Sequence, residues 1–208
     1  MTKYAMVIDS ARCFGCESCV MACKVENNLP DGVWWNHAVT EGGDFKGTPA
    51  GDDPSNLSML FHTMSCQHCD NPACVNVCPT GATYKRESDG IVMQNPDACI
   101  GCRSCIMACP YDGVRTFVED PKWSLDFAVG DVLAPQHVGG TVEKCTFCVH
   151  RIDRGERPAC VDICRVNARF WGDLDDPESE VSKLLAEREY KQINVGEGTG
   201  PNMYVLTA

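Results

Sequence analysis

Short apolar runs alternate along this chain with long polar stretches rich in glycine and proline. Residues 4–9 and 91–93 are apolar and β-branched, which predicts two short strands. Residues 81–84 predict a turn into a strand, and residues 204–206 predict a strand near the end of the sequence. Residues 180–190 carry apolar side chains at helical spacing, which predicts a helix. The pattern therefore indicates an α+β protein of short elements and long loops.

Two long segments, residues 27–60 and 111–144, are interrupted repeatedly by glycine and proline, so both are predicted to be loop-like insertions. Gly42-Gly43 is one of these interruptions. Trp34 and Trp35 lie inside the first insertion, and two interpretations fit them. They pack the loop against the body of the protein, or they form an exposed anchor for a partner subunit, because tryptophan is enriched in interface hot spots.

Sixteen of the 208 residues are cysteines, and they form four groups of four. Group 1 is Cys13, Cys16, Cys19 and Cys23; group 2 is Cys66, Cys69, Cys74 and Cys78; group 3 is Cys99, Cys102, Cys105 and Cys109; group 4 is Cys145, Cys148, Cys160 and Cys164. Groups 1 and 3 share their spacing, with glycine before the second cysteine, serine before the third and Met-Ala before the fourth. The two groups are therefore an internal repeat.

Group 3 has the spacing of a bacterial ferredoxin motif, in which three cysteines bind one [4Fe–4S] cluster and the fourth, followed by proline, binds another. Gly101 is expected to let the backbone approach the cluster closely. Group 2 has two extra residues before its third cysteine, and group 4 has eleven residues between Cys148 and Cys160. That insert, residues 149–159, is basic; it is a solvated loop, or it compensates cluster charge or docks an acidic partner.

Adjacent groups 2 and 3 are expected to pair, which leaves groups 1 and 4 to pair across the chain. Site 1 then comprises Cys13, Cys16, Cys19 and Cys164; site 2 comprises Cys145, Cys148, Cys160 and Cys23; site 3 comprises Cys66, Cys69, Cys74 and Cys109; site 4 comprises Cys99, Cys102, Cys105 and Cys78. The expected fold is α+β, with two nested ferredoxin-like modules that hold two clusters each. Residues 1–26 with 145–175 form the outer module, 61–110 the inner module, 27–60 and 111–144 the insertions, and 176–208 a tail.

Disulfides or zinc could also account for so many cysteines. Disulfide-dense chains are usually short and secreted, whereas the first twelve residues contain no long apolar run that would predict a secretory signal. Zinc suits groups 2 and 4 but does not need the third cysteine so close in groups 1 and 3. His68 and His150 lie near predicted ligands and are expected to be hydrogen-bond donors or surface residues, because the cysteines already complete the sites.

The formal net charge is −11, and it becomes about −19 when sixteen thiolates and four oxidised cluster cores are counted. Such an acidic chain is not expected to bind nucleic acid. It contains no apolar stretch of the ~20 residues that span a bilayer. Four clusters saturated by cysteine predict an electron carrier rather than a catalyst. A free polyferredoxin and a zinc-stabilised interaction module are the competing hypotheses.

Beyond the cysteines, residues 145–151 (Cys-Thr-Phe-Cys-Val-His-Arg), 158–160 and 172–177 complete a recognisable pattern. The chain resembles the four-cluster iron–sulfur subunits of the dimethyl sulfoxide reductase family of molybdenum enzymes, especially those of polysulfide, thiosulfate and arsenate reductases. The resemblance implies a large catalytic subunit with a molybdenum or tungsten bis-pterin guanine dinucleotide cofactor, and a quinone-linked membrane anchor or another carrier. It also implies that outer-module clusters face the catalytic subunit.

Location and cluster potential are two further expectations. The absence of a predicted signal favours the cytoplasm, whereas the resemblance implies export to the periplasmic side bound to the catalytic subunit. Arg165 and Lys24 follow the fourth cysteines of groups 4 and 1, where proline is usual. A cation beside a ligand favours the reduced cluster, so both residues are predicted to raise a potential. The replacement Arg165→Pro tests this hypothesis, because it should shift a cluster potential.

Overall fold

The computed structural model describes residues 2–40 and 47–207, so the predicted Gly42-Gly43 interruption lies outside the described residues. The strands are β1 Tyr4–Asp9, β2 Asn36–Thr40, β3 Phe61–Ser65, β4 Thr83–Lys85, β5 Val92–Gln94, β6 Arg115–Val118, β7 Thr141–Lys144, β8 Arg169–Asp173, β9 Tyr190–Lys191 and β10 Met203–Leu206. The helices are α1 Ser18–Glu26, α2 Ala73–Asn76, α3 Ser104–Met107, α4 Val149–Ile152, α5 Ala159–Asp162 and α6 Glu180–Glu187, with a short 3₁₀ helix at Val195–Glu197. The described chain is thus a mixed α and β structure, as predicted.

The largest sheet joins the two ends of the chain in the order β8-β1-β10-β9. Strand β1 pairs in parallel with β10 and antiparallel with β8. Because side chains alternate along a strand, Met6 and Ile8 face a core that contains cysteines, whereas Ala5 and Val7 face a second core with Val181 of α6. The sheet therefore has one cysteine-bearing face and one face covered by α6.

Three hairpins complete the described strands: β2 with β3, β4 with β5, and β6 with β7. The prediction that residues 27–60 and 111–144 are entirely loop-like was wrong, because they contain β2, β6 and β7. Trp35 is 2% exposed and packs in the cysteine-bearing core. Trp34 is half-buried, and the Lys24 ammonium lies 4.6 Å from the centroid of its ring. The packing interpretation of these tryptophans is the one that the structure supports.

The repeat between groups 1 and 3 is also present in the backbone. Gly15 and Gly101 have φ of +71° and +68°, and Glu17 and Arg103 have φ of +62° and +61° before α1 and α3. A Cβ atom at Gly101 would collide with the backbone oxygen of Gly140. Left-handed backbone and a close protein neighbour therefore both require glycine there.

Candidate iron–sulfur sites

Three cavities of the described structure are each lined by four cysteines. They are lined by Cys13, Cys16, Cys19 and Cys164; by Cys23, Cys145, Cys148 and Cys160; and by Cys78, Cys99, Cys102 and Cys105. Each cavity contains the four cysteines of one predicted site, although these cysteines come from distant parts of the sequence. The three sites are sites 1, 2 and 4. That these cysteines bind iron stays a prediction.

The cysteines of site 3 are also neighbours. Cys69 and Cys109 pack in one apolar cluster around Tyr111. Burial raises the pKa of Cys109 to about 11, and the thiols of Cys66 and Cys74 contribute to that rise. The same two thiols raise the pKa of Cys69, after burial as the main cause. Such mutual effects require short distances between the four sulfurs.

The sites differ in their exposure to solvent. All four cysteines of site 2 are buried, and three of site 3 are buried. Sites 1 and 4 contain the two exposed cysteines, Cys16 and Cys102. Each is the second cysteine of a repeat group and is followed two residues later by a serine, Ser18 or Ser104. Sites 2 and 3 are thus interior sites, and sites 1 and 4 reach the surface.

This difference changes the protonation of the thiols. Burial raises the pKa of Cys145 to about 12 and that of Cys23 well above its usual value. Hydrogen bonds with Ser18 and Ser104 lower the pKa of Cys16 and Cys102. A buried thiol remains protonated at neutral pH unless a cation replaces its proton, so site 2 gains thiolates only when it binds metal.

Site 2 also contains hydrogen-bond donors without a partner in the described chain. Trp35 Nε1, Asn36 Nδ2, Thr146 Oγ1 and Arg169 Nε are buried and unpaired, and all four residues line the site 2 cavity. Buried donors are rarely left unpaired. Four thiols with four unpaired donors suit a cluster whose sulfur atoms accept hydrogen bonds, so the residues present fit an iron–sulfur cluster.

Three buried cations near the sites were not predicted: Arg169, Lys144 and Arg115, which are 5%, 1% and 6% exposed. Burial would lower the pKa of Arg169, but the sulfurs of Cys160 and Cys19 raise it further than burial lowers it. The sequence contained only a weak indication that these three residues lie near the sites. Lys144 directly precedes Cys145, and each arginine follows the last cysteine of its group by a few residues.

Lys24 and Arg165 occupy different surroundings from these buried cations. The Lys24 ammonium donates to the backbone oxygens of Pro30, at 2.5 Å, and Val33, at 3.2 Å, and so anchors the first insertion. Arg165 is exposed. Solvent weakens the effect of an exposed charge, so we expect Arg165 to act on site 1 only weakly.

Both candidate histidines are buried, so the surface alternative was wrong for each. His68 Nδ1 accepts a hydrogen bond from the Val92 amide at 3.1 Å, and its ring stacks on Phe147 with centroids 3.8 Å apart. Burial, with Lys144 nearby, lowers the pKa of His68 well below its usual value, so the ring is neutral. His150 Nε2 lies 3.0 Å from the Glu26 carboxylate.

The basic insert, residues 149–159, is ion-paired rather than freely solvated. Arg151 contacts Glu26 at 3.1 Å and Asp162 at 2.7 Å. Arg154 contacts Asp131 at 2.5 Å. Glu26, Asp131 and His150 also lie close enough together to bind a metal ion, but the arginines already neutralise both carboxylates. The insert therefore ties α4 to α1 and to the second insertion.

Known proteins resemble this chain over nearly its whole length. A 4Fe-4S dicluster domain model matches residues 57–124 and 131–174, and a 4Fe-4S binding domain model matches residues 10–26. A Halobacterium salinarum protein named as a dimethyl sulfoxide reductase iron–sulfur subunit is 47% identical, over 99% of this chain and 79% of its own length. The chain belongs to the iron–sulfur subunits of the dimethyl sulfoxide reductase family. Electron transfer within an oxidoreductase complex is the function of this family and of this chain.

Further members of the family carry the names of different substrates. The arsenate respiratory reductase iron–sulfur subunit of a Shewanella species is 38% identical over 98% of this chain and 96% of its own length. A Wolinella succinogenes protein named as a component of polysulfide reductase is 38% identical over 98% and 94%. Within residues 2–40 and 47–207, no helix is long and apolar enough to cross a membrane.

Proposed function

We propose that this subunit holds four [4Fe–4S] clusters in sites 1 to 4 and relays electrons to or from a molybdopterin catalytic subunit. The observation that carries the proposal is the presence of three cavities lined by four cysteines each. A bound cluster supplies one-electron transfer without proton chemistry. The chain provides the thiolates, the hydrogen-bond donors and the exclusion of water.

The packing of cysteines from different sites in shared apolar clusters, together with their electrostatic effects on one another, supports a linear order from site 1 to site 4. The thiol of Cys19 in site 1 raises the pKa of Cys160 in site 2, although burial is the main cause. Cys66 of site 3 acts in the same way on Cys145 of site 2. Cys74 and Cys105, from sites 3 and 4, share one apolar cluster. Nested modules produce this order, because site 1 and site 2 belong to the outer module and the remaining sites to the inner module.

The two ends of this order have similar exposed apolar residues. Phe14 and Met21 beside site 1 are 59% and 50% exposed, and their repeat counterparts Ile100 and Met107 beside site 4 are 66% and 86% exposed. Exposed apolar residues next to an exposed ligand suit contact with a partner. A surface groove at the site 1 end, lined by Cys16, Met21 and Val25 among others, supports docking of the catalytic subunit there. The site 4 end would face the membrane anchor or another carrier.

We propose that the folded subunit is exported together with its catalytic subunit. None of the sixteen cysteines forms a disulfide within the described chain, and unprotected thiols are oxidised in the periplasm. Clusters must therefore be inserted before export. Cell fractionation with and without the signal sequence of the catalytic subunit tests this step. Recovery of this chain in the periplasm without the catalytic subunit would contradict it.

Iron and zinc analysis of the anaerobically purified native complex tests the cluster count. We expect about sixteen irons per chain beyond those of the partner. About twelve irons or fewer, with zinc making up the difference, would contradict four clusters. Stable co-purification of a large subunit with a pterin cofactor distinguishes this function from that of a free polyferredoxin.

A further inference from the structure

The three buried cations have neutral polar partners rather than carboxylates. The Arg169 guanidinium donates to the Thr63 hydroxyl, to the Met6 sulfur at 2.7 Å and to the Cys160 sulfur at 3.5 Å. The Lys144 ammonium donates to backbone oxygens, namely that of Val92 and, at 2.9 Å, that of Cys145.

Arg115 resembles the other two cations. Its guanidinium donates to the Gln94 side-chain oxygen at 3.4 Å, and its Nη2 is buried without a hydrogen-bond partner in the described chain. The hydrogen bonds just described all end on oxygen atoms of neutral groups or on sulfur atoms, and none of them ends on a carboxylate. A buried charge without a counter-charge is strongly unfavourable. The compensating negative charge must come from the cysteine sites.

Each cation lies between two consecutive sites. Arg169 lines both the site 1 cavity and the site 2 cavity. Lys144 directly precedes Cys145 of site 2, and its ammonium donates to the backbone oxygen of Val92, which packs against Cys74 of site 3. Arg115 contacts Gln94, which lines the site 4 cavity, and it directly follows Val114, which packs with Cys69 and Cys109 of site 3. Arg115 and Lys144 are also register partners across β6 and β7, so one hairpin carries two of the three charges.

We propose that Arg169, Lys144 and Arg115 are fixed charges, each lying between two consecutive sites, that raise the reduction potentials of both flanking clusters. The proposal rests on the site assignment made under the proposed function. One electron from a redox partner changes the charge of a site, thiolates included, from about −2 to about −3. A nearby cation in a medium of low dielectric constant stabilises the more negative state. It also weakens the repulsion between neighbouring sites that are both reduced.

Potentiometric titration of the complete complex, monitored by electron paramagnetic resonance, tests this proposal. We expect Arg169→Gln, Lys144→Met and Arg115→Gln each to make two of the four midpoint potentials more negative. The Lys144 variant should share one shifted cluster with each arginine variant. The charge-conserving variants Arg169→Lys, Lys144→Arg and Arg115→Lys should keep potentials close to those of the parent.

Arg165→Gln is the control for an exposed cation beside a ligand, and it should shift one potential by less than any buried variant. Unchanged potentials in neutral variants that retain four clusters would overturn the proposal. Equal shifts in the neutral and charge-conserving variants would also overturn it.

Iron loss is interpreted by comparing the same pairs of variants. Iron loss from a neutral variant, with four clusters kept in its charge-conserving partner, supports an electrostatic role. Iron loss from both the neutral and the charge-conserving variant would show that the residue acts through packing, and it would overturn the proposal for that residue. An iron content well below sixteen in the parent complex would instead contradict the proposed function, and it is measured before any titration.

Discussion

The interior sites 2 and 3 and the surface sites 1 and 4 each bring together four cysteines, but in different surroundings. The regular repeat groups, 1 and 3, supply three cysteines each to sites 1 and 4, and their second cysteines, Cys16 and Cys102, are exposed. Groups 2 and 4, which carry extra residues, supply sites 2 and 3, and the corresponding Cys69 and Cys148 are buried. Irregular spacing therefore accompanies burial, whereas the regular motif keeps one edge of its site at the surface.

The largest expected effect comes from replacing the second cysteine of an interior group. Cys148→Ser should remove about four irons, interrupt transfer between the two ends and destabilise the protein by several kcal/mol, because metal binding at a buried site contributes to folding. The matched variant Cys102→Ser should keep a thermal unfolding temperature near that of the parent. Iron analysis and thermal unfolding measure both effects. Equal losses of stability in the two variants would show that burial does not distinguish these sites.

The four cysteine groups, the repeat and the first strand could be predicted because each depends on local spacing. Burial of Cys69 and Cys148 could not, because it depends on segments distant in sequence. Residues 111–144 had no periodic pattern, yet Trp123 Nε1 donates to the Asn28 backbone oxygen at 2.8 Å and the Asp131 amide donates to that of Glu26 at 3.1 Å. Arg169 likewise had no motif, since its position matters only after β8 lies beside the sites.

The contact between the second insertion and the end of α1, next to Asn27 of the site 2 cavity, provides the next test. Gly130 has φ of +81°, and a Cβ atom there would collide with the backbone oxygens of Val25 and Glu26 at the end of α1. Gly130→Ala should therefore destabilise the protein by more than the ~1–3 kcal/mol that left-handed backbone alone costs. It should also speed oxidative loss of the site 2 cluster.

Gly155→Ala is the matched control for this test. Gly155 has φ of +77° with nothing within 4 Å of an added Cβ atom, so only backbone strain is expected. Denaturant unfolding and the rate of cluster loss in air measure both variants. If the two alanine variants behave alike, the second insertion does not shield site 2.

A smaller effect is expected at the exposed ends. Met107 is 86% exposed beside site 4, so Met107→Glu should leave the stability unchanged while weakening the partner contact by about 1 kcal/mol or more, which is at least fivefold. Val132→Glu is the control, because Val132 is 96% exposed and belongs to no cysteine group. Affinity for the purified partner distinguishes them. Equal affinities in both variants would remove Met107 from the proposed interface.

The smallest effect concerns a histidine that joins the second insertion to Asn27. His137 Nδ1 lies 2.8 Å from the Glu143 carboxylate, and its Nε2 lies 2.8 Å from the Asn27 backbone oxygen, so the protonated ring has an acceptor for each N–H. Burial would lower the pKa of His137, but the hydrogen bond with Glu143 and its charge give a net rise. A raised folded-state pKa adds stability that is fully present below about pH 6.5 and is lost as the pH rises through the folded-state value.

His137→Gln should therefore remove a contribution on the order of 1 kcal/mol at pH 6 and have less effect at pH 9. Glu143→Gln should remove the same pH dependence, because it leaves His137 without the carboxylate that raises its pKa. Unfolding measured across this pH range checks both variants. Asn27 lines the site 2 cavity, so the loss should also speed release of the site 2 cluster and leave site 4 unaffected. Equal sensitivity at both sites would mean that His137 stabilises the whole fold rather than the surroundings of site 2.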